Sequence, residues 1–406
     1  MLLLALTTLS KSAQAVETLS LEQALKLTLN NNPTLHQFRF KDAILEAQKE
    51  TDSQRPEFEI SAEIENIAGS GNTSGFGAAE STIALSSVLE FGGKRQARIS
   101  FADSRLEHYR WQQQAMTLDL LGDLTTTFIE TLRVQANMAL AQESLNLSQS
   151  LLKTAQSRSI RGATPEAEVK RAKAALVRAE LLVTASESQF ARQKNLLAQF
   201  WGSYDPHFTK LSGSLFKYPE TESFDQLFKY VENSPSFKVF LTETRMQEAN
   251  ISLTKAKSRS DLNWQLGVRR FEDSNDTAIV AEFSIPLFTR QRNQGQLREA
   301  QAMRDAAQSA EKISLLRLRN ELFQAFSLRA QSIDAVHRTK ETAIPALESA
   351  LELTRKAYLN GRYRYQDLIA SQQELLQAKQ ALIDTAATAL ISQAVIEKLI
   401  GKPLNP

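Results

Sequence analysis

Histidine, cysteine, methionine and paired carboxylates are the side chains that bind metals, attack carbonyls or move protons. In this chain the four histidines, His36, His108, His207 and His337, are scattered, with no i, i+4 pair and no acidic partner at ligand spacing. Each therefore reads as a surface or packed histidine. Cysteine is absent, which excludes disulfides, thiolate metal sites, cysteine nucleophiles and an acylated N-terminal cysteine together. Five methionines are too few and too dispersed to handle copper. There is no P-loop, nucleophile elbow or dinucleotide fingerprint, and Gly92-Gly93 is a lone pair explained by a turn. No residue set supports an enzyme, a metal site or a cofactor.

Charge and composition narrow the class further. Lys plus Arg (48) nearly balances Asp plus Glu (46), so there is no broad basic field to hold a nucleic-acid backbone. Scarce Gly and Pro, with Ala, Leu, Gln, Glu, Lys and Arg dominating 93–202 and 290–401, predict long helices. At the N-terminus Leu2, Leu3, Leu4, Ala5 and Leu6 form a short apolar run, and Ala13-Gln14-Ala15 is a small-x-small cleavage pattern. Residues 1–15 are thus expected to be a signal peptide, with the mature chain beginning at Val16. Elsewhere no stretch of about 18 apolar residues predicts a spanning helix, which leaves a barrel as the way for an exported chain to cross a membrane.

The chain is written twice. Ser20-Leu21-Glu22-Gln23-Ala24-Leu25-Lys26 leads to Asn32-Pro33, and Ser223-Phe224-Asp225-Gln226-Leu227-Phe228-Lys229 leads to Ser234-Pro235. Gly162 to Gly202 and Gly361 to Gly401 recur at equal spacing. The expected organisation is a first repeat over 16–202, a linker over 203–222 carrying Pro206 and Pro219, and a second repeat over 223–406. Each repeat orders its elements alike: short helix, helix, two alternating segments, very long helix, glycine turn, shorter helix.

The alternating segments have the period of strands. In the first, Phe58, Ile60, Ala62 and Ile64 share one face, while Glu57, Glu59, Ser61, Glu63 and Glu65 share the other; Ile83, Leu85, Leu89 and Phe91 resume the pattern after a flexible Gly69–Gly77 loop. The second has Leu262, Trp264, Leu266 and Val268, a polar turn at 273–276, then Ile279, Ala281, Phe283 and Ile285. Hairpins over 57–91 and 262–287 follow. Four strands cannot close a barrel, and an open edge in lipid leaves backbone groups unsatisfied at several kcal/mol each. Two copies would supply about eight strands and three about twelve, both within the range of outer-membrane barrels. The membrane-facing residues would be Ile60, Ile64, Ile83, Leu85, Trp264, Leu266, Ile279 and Phe283. A soluble sheet packed on helices would explain the alternation, but not flanking helices far longer than it could cover.

From about Gly93 to Arg161 no proline interrupts the helix formers, a reach on the order of 100 Å. Beyond Gly162, Thr164 is the expected N-cap with Pro165 at the first helical position. Val169, Ala172, Leu176, Ala179, Val183, Phe190, Leu197 and Phe200 then form a 3,4-spaced seam, matched after Gly361 by Leu368, Leu375, Ala378, Leu382, Ala389, Ile396 and Leu399. Pro345 predicts a kink or segment boundary.

These residues resemble the TolC-type outer-membrane efflux proteins, in their heavy-metal (CzcC-like) branch. The resemblance covers nearly the whole mature chain. It is carried by 19–33, by Leu89-Glu90-Phe91-Gly92-Gly93-Lys94-Arg95, by Phe283-Ser284-Ile285-Pro286-Leu287-Phe288 with Arg292-Asn293-Gln294-Gly295, by Gly162-Ala163-Thr164-Pro165-Glu166 and Phe200-Trp201-Gly202-Ser203, and by Ala357–Gly361 to Asp367-Leu368. It implies a mainly α fold with a β-barrel part, a homotrimer with a twelve-stranded barrel in outer-membrane lipid, and a helical periplasmic tunnel closed at its inner end. It also implies docking through the tips, Arg161-Gly162 and Gly361-Arg362, onto a periplasmic adaptor served by an inner-membrane transporter of the RND type. Asp367 matches the first of two acidic residues that line the pore constriction in the family, while Ala370 replaces the second. The branch implies heavy-metal cations as cargo; drug efflux and type I protein secretion stay open as alternatives. So does a structural coiled-coil envelope protein, although that would not explain two matching hairpins.

Overall fold

The computed structural model describes residues 18–220 and 222–403, so the expected signal segment and Val16 lie outside the described residues. In chain order the elements are β1 (Thr18–Ser20), α1 (Leu21–Asn31), α2 (Pro33–Asp52), β2 (Glu59–Glu65), β3 (Glu80–Leu89), α3 (Lys94–Ile160), α4 (Glu166–Ala198), β4 (Lys210–Ser212), α5 (Phe224–Val231), α6 (Pro235–Lys257), β5 (Leu262–Phe271), β6 (Thr277–Ser284), α7 (Thr289–Arg292), α8 (Gln294–Arg338), α9 (Ile344–Leu359) and α10 (Tyr365–Ile400). Among the described residues they divide into two compact units, one drawn from 18–37, 116–234 and 318–403, the other from 38–115 and 235–317.

Local chemistry starts and stops the helices. At α1, Gln23 N–H donates to Ser20 Oγ (3.2 Å) and Ser20 N–H donates to Gln23 Oε1 (2.9 Å), a reciprocal cap. Ser223 N–H donates likewise to Gln226 Oε1 (3.1 Å) at α5. Asn32, before Pro33, is extended at ψ 123° and ends α1. α3 runs 67 residues unbroken. Its counterpart is interrupted: Thr339–Ala343 winds as a π-helix, and Pro345 occupies the first turn of α9. Proline lacks the N–H for the carbonyl four residues back and its ring crowds that oxygen, and a wider turn just upstream accommodates both.

In the first unit, the seams of α4 and α10 are buried at Ala172, Ala179, Phe190 and Leu197 on α4 and at Leu368, Leu375, Leu382, Ala389, Ile396 and Leu399 on α10, while Val169, Leu176, Val183, Phe200 and Ala378 are half-buried. Residues 203–222 do more than connect. β4 pairs in parallel with β1, and Phe208, Leu211 and Leu215 fill the same core as Leu19, Leu124, Phe128 and Leu197. Gln135 fastens the strand from both sides, donating to Leu211 O (3.2 Å) and accepting from Leu211 N–H (2.7 Å). The helix expected to begin at Pro165 begins at Glu166. Pro165 itself is extended at ψ 149° and acts as the cap, while Thr164 Oγ1 is buried with no protein partner.

In the second unit one antiparallel sheet runs β2-β3-β5-β6. The two hairpins are joined by β3 and β5, which pair over ten residues from Glu80↔Phe271 to Leu89↔Leu262. The 66–79 loop carries a 3-10 turn at Gly71–Thr73 and a Gly69 N–H to Thr73 O bond (2.9 Å).

Candidate functional site

Register sorts the sheet into two chemically opposed faces. Ile60, Leu85, Leu266 and Ala281 form one cross-strand row, and Ala62, Ile83, Val268 and Ile279 form the next. On this face Ile60, Ile64, Ile83, Leu85, Leu266, Ile279 and Phe283 are exposed, Ile279 at 83%. Trp264 differs: it is half-buried, edge-on to the Phe58 ring at 6.3 Å. A contiguous patch of this kind marks a surface that meets something other than water. The opposite face carries Glu59, Glu63, Glu65, Glu80, Thr82, Gln265, Arg269 and Glu282. There Arg269 donates to Glu80 (2.9 Å) and Thr82 (2.9 Å) and pairs with Glu65 (3.1 Å). Within the described residues, β2 and β6 each leave one edge without a partner strand.

The two helix reversals lie in the first unit and share one construction. Gly162 and Gly361 hold φ +71° and +75°, the left-handed region where a Cβ is strained. Around them Ala163 N–H donates to Arg158 O (2.8 Å) and Arg362 N–H to Ala357 O (2.9 Å), closing both helices in the manner of Schellman caps. Arg161 and Arg362 are exposed at the tips.

Behind the tips sits a clasp. Arg158, only 9% exposed, donates from Nη1 to Leu359 O (2.7 Å) at the end of α9, and its guanidinium lies 4.7 Å over the Tyr358 ring. Tyr358 O–H donates to Glu168 Oε2 (3.1 Å) on α4, and Tyr365 packs edgewise on the same ring. Burial, then the Glu168 carboxylate, pushes the Tyr358 phenol from 10.0 up to about 12. The raised folded value means that the phenol's contribution is complete below about pH 10 and fades as pH rises through about 12. Arg158, Glu168, Tyr358 and Tyr365 were not singled out from sequence; the available signal was an Arg and a Tyr within one turn of the tip glycines.

Asp367 is exposed in the first turn of α10, between buried Tyr365 and Leu368, and Arg364 N–H donates to its Oδ2 (2.9 Å). It therefore caps a helix whatever else it does. Of the histidines, exposed His337 does have an acid at helical spacing, its Nδ1 3.5 Å from Glu341 Oε1, against the expectation from sequence, while His108 is buried, 3.1 Å from Glu243 Oε2 and 3.2 Å from Thr242 Oγ1. Two partners on one helix fix the imidazole but do not make a metal site, and no group of three or more candidate ligands occurs among the described residues. No described helix is long and apolar enough to cross a membrane.

The family profile of the outer membrane efflux proteins matches 24–203 and again 229–402. The chain belongs to the outer membrane efflux protein family. Members are transport channels rather than enzymes, set in the outer membrane with a periplasmic helical extension, and they act as trimers in tripartite efflux complexes. This outer membrane efflux protein is 25% identical over 398 residues to the cobalt-zinc-cadmium resistance protein CzcC of Cupriavidus metallidurans, covering 96% of this chain and 91% of that one. It is 23% identical over 346 residues to the pyoverdine export outer membrane protein OpmQ of Pseudomonas putida, covering 79% and 70%. Its fold matches the outer membrane protein VceC of Vibrio cholerae with a TM-score of 0.77 at 18% identity, covering 95% of this chain and 97% of that one.

Proposed function

We propose that this efflux channel exports heavy-metal cations, that three copies close a barrel of about twelve strands, and that the helical tips dock on a periplasmic adaptor fed by an RND-type transporter. The carrying observation is the sheet itself: an oily face and an acidic face fixed by register, with β2 and β6 left unpaired. Closure through neighbouring copies satisfies those edges, puts Ile60, Ile64, Ile83, Leu85, Leu266, Ile279 and Phe283 toward lipid with Trp264 partly shielded among them, and lines the lumen with carboxylates that suit cations. Likeness to CzcC along almost the full chain supports metal cargo. Likeness to OpmQ supports a second reading, an organic cargo.

Tip substitutions test docking and cargo together. No atom outside the adjoining chain lies within 4 Å of a Cβ built at Gly162 or Gly361, so a bulky side chain there meets solvent or a partner. The positive φ adds a local cost of about 1 kcal/mol, too little to unfold the hairpin. With its partners present, the wild-type chain should confer tolerance to zinc, cobalt or cadmium. Gly162→Phe or Gly361→Phe should abolish it while trimers stay in the membrane. Unchanged tolerance in both variants would refute docking, and a chain that protects only against organic compounds would favour the second reading.

Asp367 is proposed to line the narrow inner end of the tunnel. Three carboxylates around one axis would each attract a monovalent cation by roughly 0.5 kcal/mol at about 8 Å in bulk water, and by more between low-dielectric walls. Asp367→Asn keeps an oxygen to accept the Arg364 N–H, so trimer yield should hold while cation preference and block by multivalent cations weaken. Single-channel recording at low salt is decisive: an unshifted reversal potential with unchanged block would place Asp367 off the pore.

A further inference from the structure

The second strand-to-helix crossing, residues 285–292, carries features that the channel reading leaves unused. Its first half is apolar and open, with Ile285 exposed and Leu287 and Phe288 exposed at 72% and 74%. Its second half is basic and open. Arg290 and Arg292 lie on α7, both exposed, and neither guanidinium has an ion-pair or hydrogen-bond partner among the described residues.

The shape of this crossing is imposed. Phe288 sits at φ 62°, ψ 19°, a left-handed conformation that bulky residues avoid unless their surroundings hold them there. Ser260 Oγ donates to Pro286 O (2.6 Å) and meets Thr289 Oγ1 (2.9 Å), and Asn293 Nδ2 donates to Thr254 O (3.0 Å). Bonds on both sides thus tie the crossing to α6 and to the start of β5, and the ring that they hold is left in the open.

The first crossing shows the contrast. There Lys94 is buried in a 2.5 Å ion pair with Asp261, Arg98 is bound by Glu90, and Arg95 donates to Ser53 O. Its basic groups are neutralised or occupied within the chain, whereas those of the second crossing are not.

Position and charge together select an occupant. The patch follows directly on β6, which ends at Ser284 and carries Ile279, Ala281 and Phe283 on the apolar face. The acids of β2, Glu59, Glu63 and Glu65, lie on the opposite face of the sheet. Hydrocarbon beside phosphate is found together at a phospholipid interface, and side chains with an apolar body and a cationic head suit such an interface. We propose that residues 285–292 form a lipid-binding foot, in which Ile285, Leu287 and Phe288 enter the acyl region while Arg290 and Arg292 bind the phosphate of anionic phospholipid in the helix-side leaflet. The inference rests on the barrel reading.

The full-length trimer, purified in mild detergent, is titrated with phosphatidylglycerol and with phosphatidylcholine of equal chain length, and the lipids bound per trimer are counted by native mass spectrometry. Wild type should prefer the anionic lipid by about tenfold, and high salt should reduce that preference. R290Q/R292Q should bring it close to one, while Phe288→Gly should weaken both lipids alike. An unchanged preference in R290Q/R292Q, or one that resists high salt in wild type, overturns the proposal. Trimer loss in R290Q/R292Q with lipid preference retained would assign the foot to a second copy and overturn it too. Planar-bilayer conductance separates the two readings: wild type that never conducts sinks the barrel, whereas a conducting channel without the lipid effect sinks only the foot.

Discussion

Lysine in place of Phe283 or Ile64 is expected to strip the outer membrane of assembled trimer while the helical parts stay folded. Phe283 pairs with Trp264 across β5 and β6, is exposed on the apolar face, and would recur three times in the proposed trimeric barrel; Ile64 stands on β2, an edge strand that would meet a neighbouring copy. An ammonium on a lipid-facing strand costs about 2–4 kcal/mol at mid-bilayer. Three copies of that cost fall on a single closure step, so assembly should be the property that fails. Glu282→Lys is the control. It lies one residue away on the polar face, beside Gln265, and should assemble. Heat-modifiable migration on gels reads the trimer directly. Normal trimer from both apolar-face variants, or a well-folded monomer of wild type in detergent, would end the shared-barrel reading.

Arg158→Ala should loosen the second tip by about 2–4 kcal/mol. Two contributions are lost: a charge-assisted hydrogen bond to Leu359 O, worth about 1.5–3 kcal/mol, and a partly desolvated cation–π contact with Tyr358, worth about 0.5–2 kcal/mol. They share one guanidinium, so they do not simply add. The carbonyl left behind is at the negative end of α9, where an unpaired oxygen is costly. Amide exchange at 357–363 should accelerate by roughly 30-fold or more. Arg158→Lys should fall between, since an ammonium keeps the charge but not the planar fork. Tyr358→Phe removes only the bond to Glu168 and should have the smaller effect. Exchange at the second tip that is indifferent to Arg158→Ala would show that the clasp does not hold it.

Some of this molecule was plain in one dimension. A two-residue period marked the strands, because a pleated chain sends successive side chains to opposite faces, and the register confirms the sides of Ile60, Leu85, Leu266 and Ile279. The tip glycines were legible because helix reversal needs a positive φ that other residues resist, and Gly162, Gly202, Gly361 and Gly401 all have it. The 3,4 seams on α4 and α10 were legible for the same reason of period. Pro345 announced a break, but not that the chain would answer with a π turn upstream.

What sequence alone determined, then, is what depends on neighbours along the chain: element type, face polarity, repeat order and the sites of reversal. Tertiary structure decided the rest, because it turns on which distant segments meet. β3 pairs with β5, so the two hairpins make one sheet; residues 203–222, rich in turn formers, place Phe208 and Leu211 in the core beside Leu19; Arg158 finds a carbonyl at Leu359. His108 gains Glu243 from another helix. Each of these contacts repays the loss of chain entropy only once the surrounding helices are already packed, so no local pattern records it.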